Sequence, residues 1–182
     1  MDIRILAMAM AGLLCAGLAA QAQPRTAVAE IRGCTDATIT GRAQFSEIPS
    51  QEGVKQVLVE LTVRGLPDGK HGVHIHETAN CTPCTAAGGH FDPGPASNPS
   101  PDGNHPFHAG DLVNIDVHGG YGVLLTLTSR VTLLPGPLSI FDQDGSTLII
   151  HEKIDTYCPQ GDVHDCAGGG RAACSIIEAV EK

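Results

Sequence analysis

Val57-Leu58-Val59-Glu60-Leu61-Thr62-Val63 decides the fold class. Val57, Val59, Leu61 and Val63 alternate with Leu58, Glu60 and Thr62, a period of two that places the four on one face of a strand. Leu66-Pro67-Asp68-Gly69 follows as a turn. Gly72-Val73-His74-Ile75-His76-Glu77 then resumes the alternation, so His74 and His76 point to the same side, where two imidazoles can grip one metal ion. Upstream, Ala27–Ile31 and Ile39–Phe45 read as strands, with Gly33 to Asp36 turning between them. Downstream, Val113–Val117 and Val123–Thr128 flank His118-Gly119-Gly120. Thr147–His151 follows the turn Asp142-Gln143-Asp144-Gly145, and Ala172–Val180 ends the series. Two long irregular stretches interrupt it, Glu77 to Gly110 and Asp155 to Gly170; loops of that length in a compact domain usually carry function. The expectation is an all-β chain, a barrel or sandwich of about eight antiparallel strands with two long functional loops.

Composition agrees. Gly (22) and Pro (12) are plentiful and aromatic residues scarce at 3%, as suits a turn-rich β protein. The net charge of −9 argues against a general binder of nucleic acid or anionic membrane. Residues 1–22 read as a signal peptide: Arg4 is a short basic region, Ile5 to Ala19 is small and apolar, and Ala20-Gln21-Ala22 is a cleavage signal. A retained anchor is the alternative reading. Residues 23–182 then form one domain, periplasmic or secreted. Without Cys15, Cys34, Cys81, Cys84, Cys158, Cys166 and Cys174 remain, an even number that reads as disulfides in an exported chain. Spacing leaves the pairing open, although Cys158 and Cys166 plausibly close their own loop. Cys81-x-x-Cys84 as a redox motif is disfavoured by Pro83 and by the lack of a following helix.

The remaining histidines extend the metal theme. His90, His105, His108 and Asp111 lie in the first long loop, and Leu148-Ile149-Ile150-His151 brings another imidazole off an apolar strand. Imidazole suits copper and zinc, and carboxylate adds to a zinc site. His71, His118 and His164 lack such a context and read as structural or solvent-facing. Five runs stand in register: Gly72-Val-His-Ile-His-Glu77, Cys84-Thr-Ala-Ala-Gly-Gly-His-Phe-Asp-Pro93, His108-Ala-Gly-Asp-Leu112, Ile150-His-Glu-Lys153 and Gly170-Arg-Ala-Ala-Cys174. Together they resemble the copper/zinc superoxide dismutase family, of the exported bacterial type, from about residue 27 to 180.

The resemblance implies a Greek-key β-barrel and assigns roles. His74, His76 and His151 match histidines that hold only copper. His90 matches the imidazolate shared by copper and zinc, and His108 and Asp111 match zinc ligands. Asp155 matches a carboxylate behind ligands of both metals. Arg171 matches the arginine at the mouth of the copper channel, and Cys84 and Cys174 match a bonded pair tying the metal loop to the barrel. The implied reaction is dismutation of superoxide to oxygen and hydrogen peroxide, with His90 taking and returning a proton.

The sequence departs from the family in three places. Asn98 stands where the family has a zinc-ligand histidine; His105 is the candidate replacement, and the alternative is a degenerate zinc site in a copper-only dismutase. The loop before Arg171 is short and lacks the lysine and paired glutamates many members carry there. Cys34, Cys81, Cys158 and Cys166 are extra, with Cys34–Cys81 following by elimination. A non-enzymatic copper-binding protein and a structural sandwich are the competing functions. Retention of all copper histidines and Arg171 disfavours the first, and the free side of a three-histidine-plus-bridge site disfavours the second. Oligomeric state is open, a homodimer included.

Overall fold

The computed structural model describes residues 25–48, 55–93, 105–161 and 163–180. The signal-peptide reading of residues 1–22 and the departure at Asn98 lie outside them. The described residues form ten strands: β1 (Thr26–Gly33), β2 (Thr40–Ile48), β3 (Gln56–Arg64), β4 (Gly69–His71), β5 (Val73–His76), β6 (Ile115–His118), β7 (Tyr121–Thr128), β8 (Thr147–His151), β9 (Arg171–Ile176) and β10 (Glu178–Ala179). A 3-10 turn, Cys84–Ala87, is the sole helical element among the described residues, and none of their helices is long and apolar enough to cross a membrane.

The sheet runs β4-β6-β7-β3-β2-β1-β9-β8-β5, and every pairing is antiparallel. Its two ends belong to one segment. β4 pairs with β6 and β5 pairs with β8, yet only Gly72 separates β4 from β5. A single bent stretch, 69–76, therefore joins the edges and nearly closes a barrel, which removes the exposed edges an open sheet would present. The sequence reading ended the turn at Gly69 and did not identify β4, and it extended the last strand to Val180. The chain instead breaks at Ile177, and β10 pairs with β1. Chain order also makes the Greek key: after β3 the chain leaves, builds β4 to β6, and returns as β7 beside β3.

The period of two in β3 becomes a burial pattern, with Val57, Val59, Leu61 and Val63 wholly within the barrel. They pack with Phe45, Ile31, Ile75, Ile115 and Leu148 in one apolar core. Gly119 (φ 60) and Gly120 (φ 72) turn β6 into β7, a two-residue hairpin loop that asks for positive φ at both positions. His71 is buried, its ring spanning the carbonyl oxygens of His151 (2.8 Å) and Pro67 (3.0 Å).

Candidate metal centre

β5 is buried on both faces. Val73 and Ile75 belong to the barrel core, while His74 and His76 face outward under the long loops. Those loops add to the strand: Ile75 N donates to Gly110 O (2.8 Å), Phe91 N donates to Ile75 O (2.9 Å), and His74 and His76 stand opposite Asp111 and His90. Alternation along β5 therefore lays a row of imidazoles beneath a roof of loop residues.

His74, His76, His90 and His151 converge, each offering one atom within 4.8 Å of the others, and all four are buried. Their nitrogens divide in two. On the far side, His74 Nε2 donates to Asp155 Oδ2 (2.8 Å), His76 Nδ1 to Gly88 O (3.1 Å), His151 Nδ1 to Gly169 O (3.0 Å) and His90 Nδ1 to Asp111 Oδ1 (2.7 Å). On the near side, His74 Nδ1, His76 Nε2, His90 Nε2 and His151 Nε2 have no hydrogen-bond partner. Burying an unpaired polar atom costs roughly 1–3 kcal/mol, so four at one point are an anomaly unless a cation takes their lone pairs. The outer partners fix each tautomer so that those lone pairs face inward. Burial, with the His90 ring beside them, holds His74 and His76 well below the usual histidine range, and burial brings His151 down to about 4. All four stay neutral, as metal ligation requires.

A second cluster shares His90. His74, His90, His105 and Asp111 form another set within 4.8 Å. The Nδ1 atom of His74 belongs to the first cluster and its Nε2 is held by Asp155, which lies outside this group, so it drops out here; His90 stays, because Asp111, the partner of its Nδ1, belongs to the group and a cation between the two would take the place of that hydrogen bond. In its place His108 Nδ1 lies 3.1 Å from Asp111 Oδ2. His105 Nε2 donates to both oxygens of Asp155 (2.9 and 2.8 Å), leaving Nδ1 to face Asp111 Oδ2 at 3.1 Å. A lone pair aimed at a carboxylate oxygen is repulsive unless a proton or cation lies between. Without metal a proton serves: burial opposes it, but Asp111 and Asp155 prevail and raise His105 to about 9. The three imidazoles likewise hold Asp111 well below the usual carboxylate range against the opposing effect of burial. His90, His105, His108 and Asp111 together offer three nitrogens and one oxygen, a donor set suited to tetrahedral zinc.

Arg171 begins β9 beside His76 and His151 in one cleft. It donates from Nη1 to Cys84 O (2.6 Å) and from Nη2 to Gly88 O, the carbonyl that also holds His76. Two of the three disulfides among the described residues differ from the expected ones. Cys81 pairs with Cys174 and Cys34 with Cys84, both with Cα atoms 5.8 Å apart, which corrects the Cys84–Cys174 and Cys34–Cys81 pairings. Cys34 lies alongside β9, its N–H donating to Ala172 O (2.8 Å), so it and Cys174 present two anchors to two loop cysteines three residues apart. Cys158 and Cys166 are bonded to each other.

Sequence reasoning did not find Asn114, which clamps Asp155 through Asp155 N to Asn114 Oδ1 (2.8 Å) and Asn114 Nδ2 to Asp155 O (2.9 Å). It also missed Tyr157, whose ring stacks on His105 with centroids 6.4 Å apart. Neither carries a local signal, because both act across the fold.

The family model for copper/zinc superoxide dismutase matches residues 39–177. The chain is 38% identical over 159 residues to a Cu-Zn superoxide dismutase of Deinococcus radiodurans, covering 78% of this chain and 79% of that one. It is 28% identical over 185 residues to an extracellular Cu-Zn superoxide dismutase of Drosophila melanogaster, covering 97% and 98%. Among solved structures, the clock protein EA4 matches with a TM-score of 0.67 at 26% identity, over 88% of this chain and 98% of that one.

Proposed function

This chain belongs to the copper/zinc superoxide dismutase family, and on that premise we propose that His74, His76, His90 and His151 hold the copper of its active site. It is a superoxide dismutase, with copper and zinc as cofactors. We assign zinc to His90, His105, His108 and Asp111, so that His90 faces both metals. The observation carrying this reading is the four buried, unpartnered imidazole nitrogens, each backed by a hydrogen bond on its other side.

Bound copper supplies the one-electron exchange that oxidises one superoxide to oxygen and reduces a second, which two protons complete as hydrogen peroxide. The protein residues do the rest. His90 Nε2 would take a proton in one half of the cycle and return it in the other; its Nδ1, which meets Asp111 Oδ1 at 2.7 Å in the metal-free chain, would turn its lone pair to zinc when zinc is held between the two. Asp155 braces His74 and His105, one ligand from each cluster. Arg171 offers fixed charge at the cleft, where a local positive site steers a small anion even on an acidic protein. Three disulfides and extracellular relatives such as the Drosophila enzyme support a periplasmic or secreted location. Metal analysis and a superoxide assay on the reconstituted protein test the reading. We expect about one copper and one zinc per chain with activity; activity that persists without copper would refute it.

A further inference from the structure

Arg130 follows β7 by two residues, its N–H donating to Thr128 Oγ1 (3.2 Å) as the chain turns. Its guanidinium reaches across to the loop that carries His105, His108 and Asp111. It donates from Nη1 to Pro106 O (2.9 Å) and His108 O (3.0 Å), and from Nη2 to Asp111 O (2.6 Å). All three acceptors are backbone carbonyls beside or within the ligand residues. Asp111 cinches the same turn from inside: its carboxylate accepts from His108 N (2.9 Å) and its N–H donates to His108 O (3.2 Å). Farther along, Gly110 is tied to Phe91 and Ile75. Pro106 has no N–H to contribute to such a tie, and Arg130 provides one through its carbonyl.

We propose that Arg130 is a positioning residue of the zinc site, a splint that holds the backbone of His108 and Asp111 so that imidazole and carboxylate are already in place when zinc arrives. The proposal rests on the zinc reading given above. Arg130 contacts no ligand atom and no substrate. Its planar fork matches several carbonyls at once, which the single ammonium of lysine cannot do. An arginine side chain loses much rotamer freedom when fixed, so three bonds from an otherwise exposed residue indicate that the ordering is used. The barrel core does not include Arg130, so its removal leaves the fold standing while the loop gains freedom.

The test is zinc affinity, measured by chelator competition on copper-loaded wild type, Arg130→Ala and Arg130→Lys, with copper content and the unfolding midpoint of the metal-free proteins recorded alongside. We expect zinc affinity to fall by about 10–100-fold in Arg130→Ala, the range seen when partners behind metal ligands are lost. Arg130→Lys should fall between, and copper content should not change. Cobalt placed in the zinc site should show an altered visible spectrum in the variants. Unchanged zinc affinity in a folded Arg130→Ala overturns the proposal, whatever happens to stability. If that variant does not fold, Arg130→Lys decides by the same criterion. Wild type that binds no zinc refutes the zinc reading and this proposal together; wild type that binds zinc no better than the variants refutes this proposal alone.

Discussion

His105 Nε2 lies 2.8 Å from Asp155 Oδ2, the oxygen that also accepts from His74 Nε2 at 2.8 Å. One carboxylate thus orients a histidine of each cluster, which supports the proposal that His105 is a zinc ligand. His105→Ala should reduce zinc affinity by more than the ~10–100-fold that loss of an outer partner costs, with copper retained. Asp155→Asn should fall within that range. Equal zinc affinity in wild type and His105→Ala, measured against a chelator, would remove His105 from the site.

Non-reducing peptide mapping should join Cys81 to Cys174 and Cys34 to Cys84. These bonds close spans of 93 and 50 residues respectively, and loops of this size give roughly 2–5 kcal/mol each. Cys34→Ser with Cys84→Ser should lower stability by that order in denaturant titration. A Cys84–Cys174 peptide would contradict the structure.

The strands were readable because burial follows a period of two, as Val57 to Val63 display. Both histidines of β5 were readable for the same reason. The cysteine pairing was not, because Cys81 and Cys84 are only three residues apart and the choice depends on how the 3-10 turn aims each toward Cys34 and Cys174. Gly72 as the corner joining the sheet edges was also hidden, since edge pairing is a long-range property. Asn98 left zinc one ligand short in the sequence; folding brings His105 to Asp155 and Asp111, a contact that spacing alone does not specify.

Arg171→Glu should slow superoxide consumption and change its dependence on ionic strength, with copper content unchanged. Steering is screened over a Debye length of about 8 Å at physiological salt, so the gap from wild type should shrink as salt rises. Because Gly88 O accepts from both Arg171 and His76, Arg171→Lys separates charge from positioning: it should keep the salt dependence and lose part of the rate. Identical salt profiles for wild type and Arg171→Glu would exclude guidance.

The metal-free chain should show two opposing pH dependences. Burial brings His151 down to about 4, while an unfolded histidine titrates near 6.5. The unfolded state therefore binds the proton first, and stability is lost as pH falls from about 6.5 toward 4. His105 is raised to about 9 by Asp111 and Asp155 against burial, so its contribution is present below about 6.5 and lost as pH rises through 9. Urea midpoints across this range should therefore peak between the two limbs; midpoints that rise on acidification from 6.5 to 4 would contradict the first limb.

The central claim is that the four convergent imidazoles hold the copper that dismutates superoxide. The most direct measurement is copper content and superoxide consumption in His76→Ala beside wild type, both reconstituted and checked for a folded barrel by circular dichroism. The account predicts that a folded His76→Ala loses dismutation along with tight copper binding. Full activity in that variant would contradict it.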